Sequence, residues 1–419
     1  MRIYKDSAER VAKDDRAVFS TVNEIIENVR RGGDRAVSEY NVKFGGLAAD
    51  TFRVSDADID AAYAGLSQEL REAIEFAAAN IRNFAEEQHA SLRPIKSAEM
   101  SPGVFLGHSI IPVDSCCCYI PGGNHPLFST ALMLAIPAKV AGVPRVCAAV
   151  PPMNGSQLPH PATLAALKAA GCDEVYAIGG AQAIAAFAYG TESIDPVAMI
   201  VGPGNKYVTE AKRQVYGRVG IDFVAGPSEV LIIADETARP DVVAADILAQ
   251  SEHDADAAGI LVTTSEKLAK ETAAEVASQL AALDTAAIAS VSWERNGRIL
   301  IADSLSEAAQ IANEIAPEHL EINVSEPEGV APLLRNYGSL FIGGYSAEVF
   351  GDYVAGTNHT LPTMGASRYT GGVSVMTFLK VCTFQRVTKE GAAQLAPMAD
   401  VMAHGEGLTA HARAAVIRK

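Results

Sequence analysis

The chain has 419 residues, 49% of them hydrophobic and 20% charged, and 34 Lys and Arg against 50 Asp and Glu give a net charge of −16. At roughly 100–200 residues per domain this is a globular protein of roughly two to four domains, with a core large enough to need no disulfide scaffold. The acidic balance excludes a non-specific nucleic-acid or anionic-membrane surface, because both need basic patches, but it permits a small anionic ligand held by local dipoles.

The N-terminal stretch MRIYKDSAERVAKDD lacks the apolar run of a secretory signal, and no uninterrupted apolar run reaches the ~18 residues of a membrane span. A cytoplasmic protein is expected. Residues 1–105 are expected to be a helical N-terminal region. Val18, Val22, Ile25, Ile26 and Val29 mark one stripe at helical period, and Leu66 to Phe84 repeats the pattern. From Ile110 to Tyr345 short apolar runs alternate with amphipathic segments at roughly 25–30-residue intervals. Strands are expected at Val146–Val150, Glu174–Ile178, Ala198–Val201, Val230–Ala234, Gly259–Thr263, Arg298–Ile301, His319–Val324 and Ser339–Ile342, with helices between them. This alternation points to an α/β fold of parallel sheets covered by helices on both faces. The stretch is long for one doubly wound sheet, so two layers are expected, at 106–235 and 236–349. Residues 350–419 then comprise a Gly/Thr/Asn-rich loop, GDYVAGTNHTLPTMGASRYTGG, and a helical tail from Lys389.

Six cysteines include the run Cys116, Cys117 and Cys118. Neighbouring residues of a strand point to opposite faces, so this triplet makes a poor metal site. No CxxC occurs, and reduced thiols in a reducing compartment are the simpler reading.

Open parallel sheets bind ligands beyond the carboxyl ends of their strands. Three glycine-rich turns are expected there: Tyr119-Ile-Pro-Gly-Gly-Asn-His-Pro, Gly179-Gly-Ala-Gln182 and Gly202-Pro-Gly-Asn205. A fourth, Ala225-Gly-Pro-Ser228, precedes a strand. Each offers backbone N–H groups suited to phosphate or carboxylate oxygens, although none matches GxGxxG. A tight turn explains any one of them; four on one sheet system point to a ligand. Four of the nine histidines lie beside a carboxylate or carboxamide. His253 shares an expected helix with Gln250, His319 follows Glu318, His359 lies seven residues after Asp352, and His411 five after Glu406. Each alone reads as a surface or capping residue, yet together they suit a dispersed metal-assisted or acid/base site. His89, His108, His160 and His404 have no such neighbourhood and are taken as structural, and His125 is ambiguous.

The runs YIPGG, GGAQAIAA, GPGNKYVTEAKRQV, AGPSEVLIIAD, SEH, APEHLEI, GDYVAGTNH and EGLTAHARA, in this order from about Gly103 to Arg413, resemble the histidinol dehydrogenase family. The resemblance implies two Rossmann-like domains with helical N- and C-terminal extensions, and a zinc- and NAD-dependent homodimer. It also implies oxidation of a primary alcohol through a bound aldehyde to the carboxylate. It makes Gln250, His253, Asp352 and His411 the zinc ligands, and imidazole donors suit zinc better than magnesium. By the same resemblance Glu318 and His319 are the acid/base pair. Ser228, His359 and Glu406 contact substrate, Glu406 in the partner subunit's site. Tyr119, Gln182 and Asn205 contact the dinucleotide.

Departures from the pattern fall on Ala366–Val375 and Val381–Glu390, which look closer to paralogues acting on other small polar alcohols, such as sulfopropanediol 3-dehydrogenase. Arg368, Tyr369 and Arg386 in these segments could receive an anionic substrate group or be surface residues. L-Histidinol is the expected substrate, with a sulfonated diol as the alternative. A non-catalytic binding protein on the same fold has no support, because every metal and acid/base position is filled. A serine hydrolase lacks its GxSxG elbow at Ser228.

Overall fold

The computed structural model of the chain describes residues 1–7, 16–49, 51–122 and 126–419. It opens with strand β1 (Arg2–Lys5) and helices α1 (Arg16–Lys43), α2 (Asp56–Ala64) and α3 (Gln68–Ala90). The stripe Val22, Ile25, Ile26 and Val29 of α1 is buried, as its period requires, and the helix bends where Gly33 takes a φ of 53°. Strands β2 (Ile95–Ser101) and β3 (Val104–Pro112) follow.

The first parallel layer contains β4 (Ser115–Tyr119), α4 (Phe128–Val140), β5 (Arg145–Ala149), α5 (Pro161–Ala170), β6 (Glu174–Tyr176), α6 (Gly180–Tyr189), β7 (Met199–Val201), α7 (Lys206–Val215) and β8 (Gly220–Ile221). Its strand order is β6-β5-β4-β7-β8. Chain order therefore reverses beside β4, and that reversal opens a crevice at the carboxyl edge. The cysteine run forms β4. Cys116 and Cys118 enter the core on the α3–α4–α5 face, and Cys117 enters the core under α1, α6 and α7. The triplet is therefore core packing on both faces, with all three thiols unpaired in disulfides.

The second layer contains β9 (Glu229–Ala234), α8 (Pro240–Ser251), β10 (Ala258–Thr263), α9 (Glu266–Leu280), α10 (Ala286–Asn296), β11 (Arg298–Ile301), α11 (Leu305–Ile315), β12 (His319–Asn323), α12 (Pro327–Val330), β13 (Ser339–Ile342) and α13 (Glu348–Tyr353). Its order is β1-β11-β10-β9-β12-β13, parallel throughout except for β1 on the edge. Val230, Ile232 and Ala234 point to one core, Leu231 and Ile233 to the other, so β9 is buried on both faces. The chain ends in β14 (Leu379–Val387), α14 (Lys389–Gly405) and α15 (Thr409–Val416).

The expected strands and helices of both layers are present, and three expectations need correction. β9 is a central strand of the second sheet, so the change of layer falls at 222–228 and not after 235. The N-terminal region is not wholly helical: β1 extends the second sheet, and β2 begins a sheet of its own. β14, β3 and β2 form that separate antiparallel sheet, where a loop was expected ahead of the C-terminal helices. β14 is exposed along most of its length, so it lacks the polar/apolar alternation by which a strand is recognised. Among the described residues no helix is long and apolar enough to cross a membrane.

Candidate active site

Two sets of residues converge in the fold. The first occupies the carboxyl edge of the first sheet, where the switch in strand order predicts a ligand crevice. Tyr119 ends β4, and its hydroxyl accepts a hydrogen bond from Gly180 N at 3.0 Å. Burial pushes the Tyr119 phenol up to about 12. Gln182, in the first turn of α6, is 2% exposed, and among the described residues its Oε1 has no hydrogen-bond partner. Asn205 caps α7, its Oδ1 accepting from Tyr207 N at 3.0 Å and Val208 N at 3.2 Å. Gly202 takes a φ of 122°, and an added Cβ would lie 2.2 Å from Tyr119 O. Only glycine allows the turn to pass that closely over the end of β4. A buried carboxamide oxygen without a partner among the described residues, beside a helix N-terminus, fits a dinucleotide. Gly123, Asn124 and His125 of the remaining glycine-rich turn lie outside the described residues.

The second set lies at the amino edge of the second sheet, opposite to the edge that parallel sheets ordinarily use. Ser228 immediately precedes β9, which begins at Glu229, and Glu318 immediately precedes β12, which begins at His319; the two strands are adjacent and parallel. α8 runs antiparallel to these strands, so its C-terminal end brings Gln250 to the same edge. The backbone of Glu229 ties Glu318 and His319 together. Its N–H donates to Glu318 Oε2 at 3.0 Å, and its carbonyl faces His319 Nδ1 at 3.3 Å. The Gln250 carboxamide donates to Glu348 Oε1 at 3.0 Å and accepts from His319 Nδ1 at 3.2 Å. With the Nδ1 proton directed at two carbonyl oxygens, Nε2 is left as the basic nitrogen. Among the described residues the buried Nε2 has no hydrogen-bond partner, and it stands 3.6 Å from Asp352 Oδ1.

His319, Glu348 and Asp352 each offer a donor atom within 4.8 Å of the other two. Burial drives the carboxyls of Glu318 and Glu348 up to about 8. Burial opposes protonation of His319 too, but Glu348 and Glu318 outweigh it and raise the imidazole well above its ordinary value. The cluster is thus short of positive charge. Its mixture of imidazole, carboxylate and carboxamide fits a zinc ion that would supply the missing charge. His359 closes one side. Its Nδ1–H donates to the Asp352 carbonyl at 2.8 Å, and its Nε2 accepts from the Thr130 hydroxyl at 3.1 Å, which fixes the tautomer. Burial lowers the His359 pKa. Asn358 Nδ2 donates to Met133 O at 2.6 Å, so the loop that carries these residues rests on α4 of the first layer.

The structure therefore brings Ser228, Gln250, Glu318, His319, Asp352 and His359 to one region. His253 follows α8 in a turn instead of lying within the helix, because the helix ends at Ser251. It is exposed, and its charge acts on Asp352 and His359. Glu406 and His411 are exposed in the C-terminal arm, where α14 and α15 pack on each other. Among the described residues the side chains of these two make no hydrogen bond or ion pair within the chain. Their own copy does not bring them to His319. Arg368 donates to the carbonyls of Gly365, at 3.1 Å, and Glu314, and Arg386 lies 4.2 Å over the Phe105 ring. The fold thus uses both arginines structurally. His160 caps α5, accepting from Ala162 N at 3.2 Å, in the structural role expected of it.

Two contributors escaped the sequence reading. Glu348 is 2% exposed and 3.6 Å from His319 Nδ1. Its signal was present, since Glu348 and Asp352 are one helical turn apart on α13 and share a face. Glu229 acts mainly through its backbone, which no side-chain pattern announces.

Together these features define an α/β protein in which a histidine–glutamate pair adjoins a cluster of potential metal donors, beside a parallel layer with glycine-rich turns at its carboxyl edge. Residues 8–419 match the histidinol dehydrogenase family. A histidinol dehydrogenase homolog from Shouchella clausii is 45% identical over 99% of this chain and 98% of its own length. A histidinol dehydrogenase from Bacillus cereus is 46% identical over 100% and 96%. The solved histidinol dehydrogenase from Elizabethkingia anophelis superposes with a TM-score of 0.92 at 40% identity, covering 99% of this chain and 94% of that one. The chain belongs to the histidinol dehydrogenase family, and is an oxidoreductase.

Proposed function

We propose that this chain is a cytoplasmic, zinc- and NAD-dependent dehydrogenase that oxidises L-histidinol through a bound aldehyde to L-histidine. The observation that carries the reading is His319, with Nδ1 held by two carbonyl oxygens and Nε2 open toward Asp352, directly beside Glu318. Zinc, held by Gln250, His253, Asp352 and a second copy's His411, would supply a Lewis acid that orients the alcohol, and NAD the hydride acceptor. With a cation as counter-charge, His319 is free to take the hydroxyl proton as the alcohol is oxidised. Glu318, a stronger base than an ordinary carboxylate, removes a proton from the water that adds to the aldehyde. Ser228, His359 and a second copy's Glu406 hold the substrate, while Tyr119, Gln182 and Asn205 line the dinucleotide crevice.

The exposed C-terminal arm supports a homodimer whose sites each borrow Glu406 and His411 from the other subunit. The backbone ties of Arg368 favour histidinol over a sulfonated diol, because that guanidinium is already engaged. The reading is tested by zinc content and L-histidinol turnover before and after chelation. Loss of NADH formation on removing the metal, and recovery on adding zinc, is expected; unaltered turnover by the metal-free protein contradicts it.

A further inference from the structure

Helix α7 buries a charge that its sequence would place in water. Its inward stripe is Val208, Ala211, Lys212 and Val215, and the Lys212 side chain is 2% exposed. The ammonium pairs with Asp222, whose side chain is 1% exposed and which lies just after edge strand β8. Two charges taken out of water are costly, and an apolar pair of similar volume is often as stable or more so. The pair therefore calls for an explanation beyond stability, and its hydrogen bonds supply one. Lys212 Nζ donates to Gly202 O at 2.8 Å, and Asp222 Oδ2 accepts from Gly202 N at 2.8 Å. Both backbone groups of a single residue are thus gripped by the two ends of one buried ion pair.

That residue is the glycine of φ 122° at the head of the Gly202–Asn205 turn. Thr209 Oγ1 donates to Gly204 O at 3.2 Å, and Asn205 caps the helix, so α7 holds the turn at its far end as well. We propose that Lys212 and Asp222 are positioning residues that lock the Gly202–Asn205 turn, which lies between the end of β7 and the head of α7, in the geometry that receives the dinucleotide. The inference rests on the cofactor reading above. A turn fixed in advance loses little freedom when the ligand arrives, so the clamp raises affinity without touching the ligand.

The test uses the full-length, zinc-loaded enzyme, with NADH binding followed by fluorescence titration and amide exchange measured over residues 202–208. Lys212→Met should weaken NADH binding about tenfold or more and speed exchange in that segment. The apolar double variant Lys212→Met/Asp222→Leu should melt close to the wild type and still bind NADH as weakly as the single variant. A double variant that is stable, exchanges slowly and binds NADH within about twofold of wild type overturns the clamp. If the double variant does not fold, the wild type decides. Slow exchange at 202–208 before NADH is added supports a preset turn; fast exchange that slows only on binding overturns it. A wild type that binds no NADH at all overturns the cofactor reading instead.

Discussion

The carboxylate of Glu348 lies 3.6 Å from His319 Nδ1 and, through the Gln250 carboxamide at 3.0 Å, also fixes a second neighbour of that imidazole. Glu348 and Asp352 thus flank His319 from one short helix, one near each ring nitrogen. Glu348→Gln keeps the shape and removes the ionisable carboxyl. Turnover should fall roughly 10- to 100-fold, the range seen when a group that orients a metal or catalytic ligand is lost. Steady-state kinetics with the folded, zinc-loaded variant checks this, and wild-type turnover would show that His319 needs no such partner.

The acid/base assignment separates by step. His319→Asn should slow alcohol oxidation by roughly 10²-fold or more, the scale of lost general base catalysis. Glu318→Gln should largely spare that step and slow oxidation of added aldehyde. Single-turnover measurement of the two half-reactions distinguishes them; equal damage to both by Glu318→Gln would contradict the division of roles.

The placement of Glu406 and His411 on an arm away from their own chain's site predicts complementation between inactive subunits. Asp352→Ala and His411→Ala homodimers should each be inactive. Co-expressed heterodimers should regain one working site, in which intact Asp352 meets intact His411. Purified heterodimer with no activity would contradict a shared site.

A second buried acidic pair lies beside Glu348, whose N–H donates to Glu321 Oε1 at 3.2 Å. Asp246 on α8 hydrogen-bonds the Glu321 carboxyl of β12, and burial drives Asp246 up to about 6 and Glu321 well above its ordinary value. The folded chain therefore holds protons that the unfolded chain has released. Stability from this pair is complete at acid pH and lost as pH rises through about 6 and beyond. Asp246→Asn, which carries a permanent donor, should flatten the fall in melting temperature between pH 5 and 8 and melt higher at pH 8. Parallel pH profiles for the two proteins would refute this.

The two parallel layers were legible because their strands carry apolar runs buried on both faces, as in residues 230–234 and 258–262. The small antiparallel sheet was not, since β14 is exposed along most of its length and carries Lys, Cys, Gln and Arg among its apolar residues. Spacing marked Gln250, His253, His319, His359 and His411 as candidates, but only folding shows which of them meet. The ligand edge of the second sheet was also hidden. Its strands begin at the site instead of ending there, because α8 and the loop before β12 deliver polar groups to the amino edge. Lys212 escaped because nothing local to GNKYVTEAKRQV marks a buried lysine; its partner Asp222 lies ten residues away, beyond the helix.

The central claim is a two-step oxidation at one site. NADH released per L-histidinol consumed, measured at completion with zinc-loaded protein, tests it most directly. Two NADH with L-histidine as the product is the predicted result. One NADH with free aldehyde, or no turnover of L-histidinol while another small alcohol is oxidised, would contradict it.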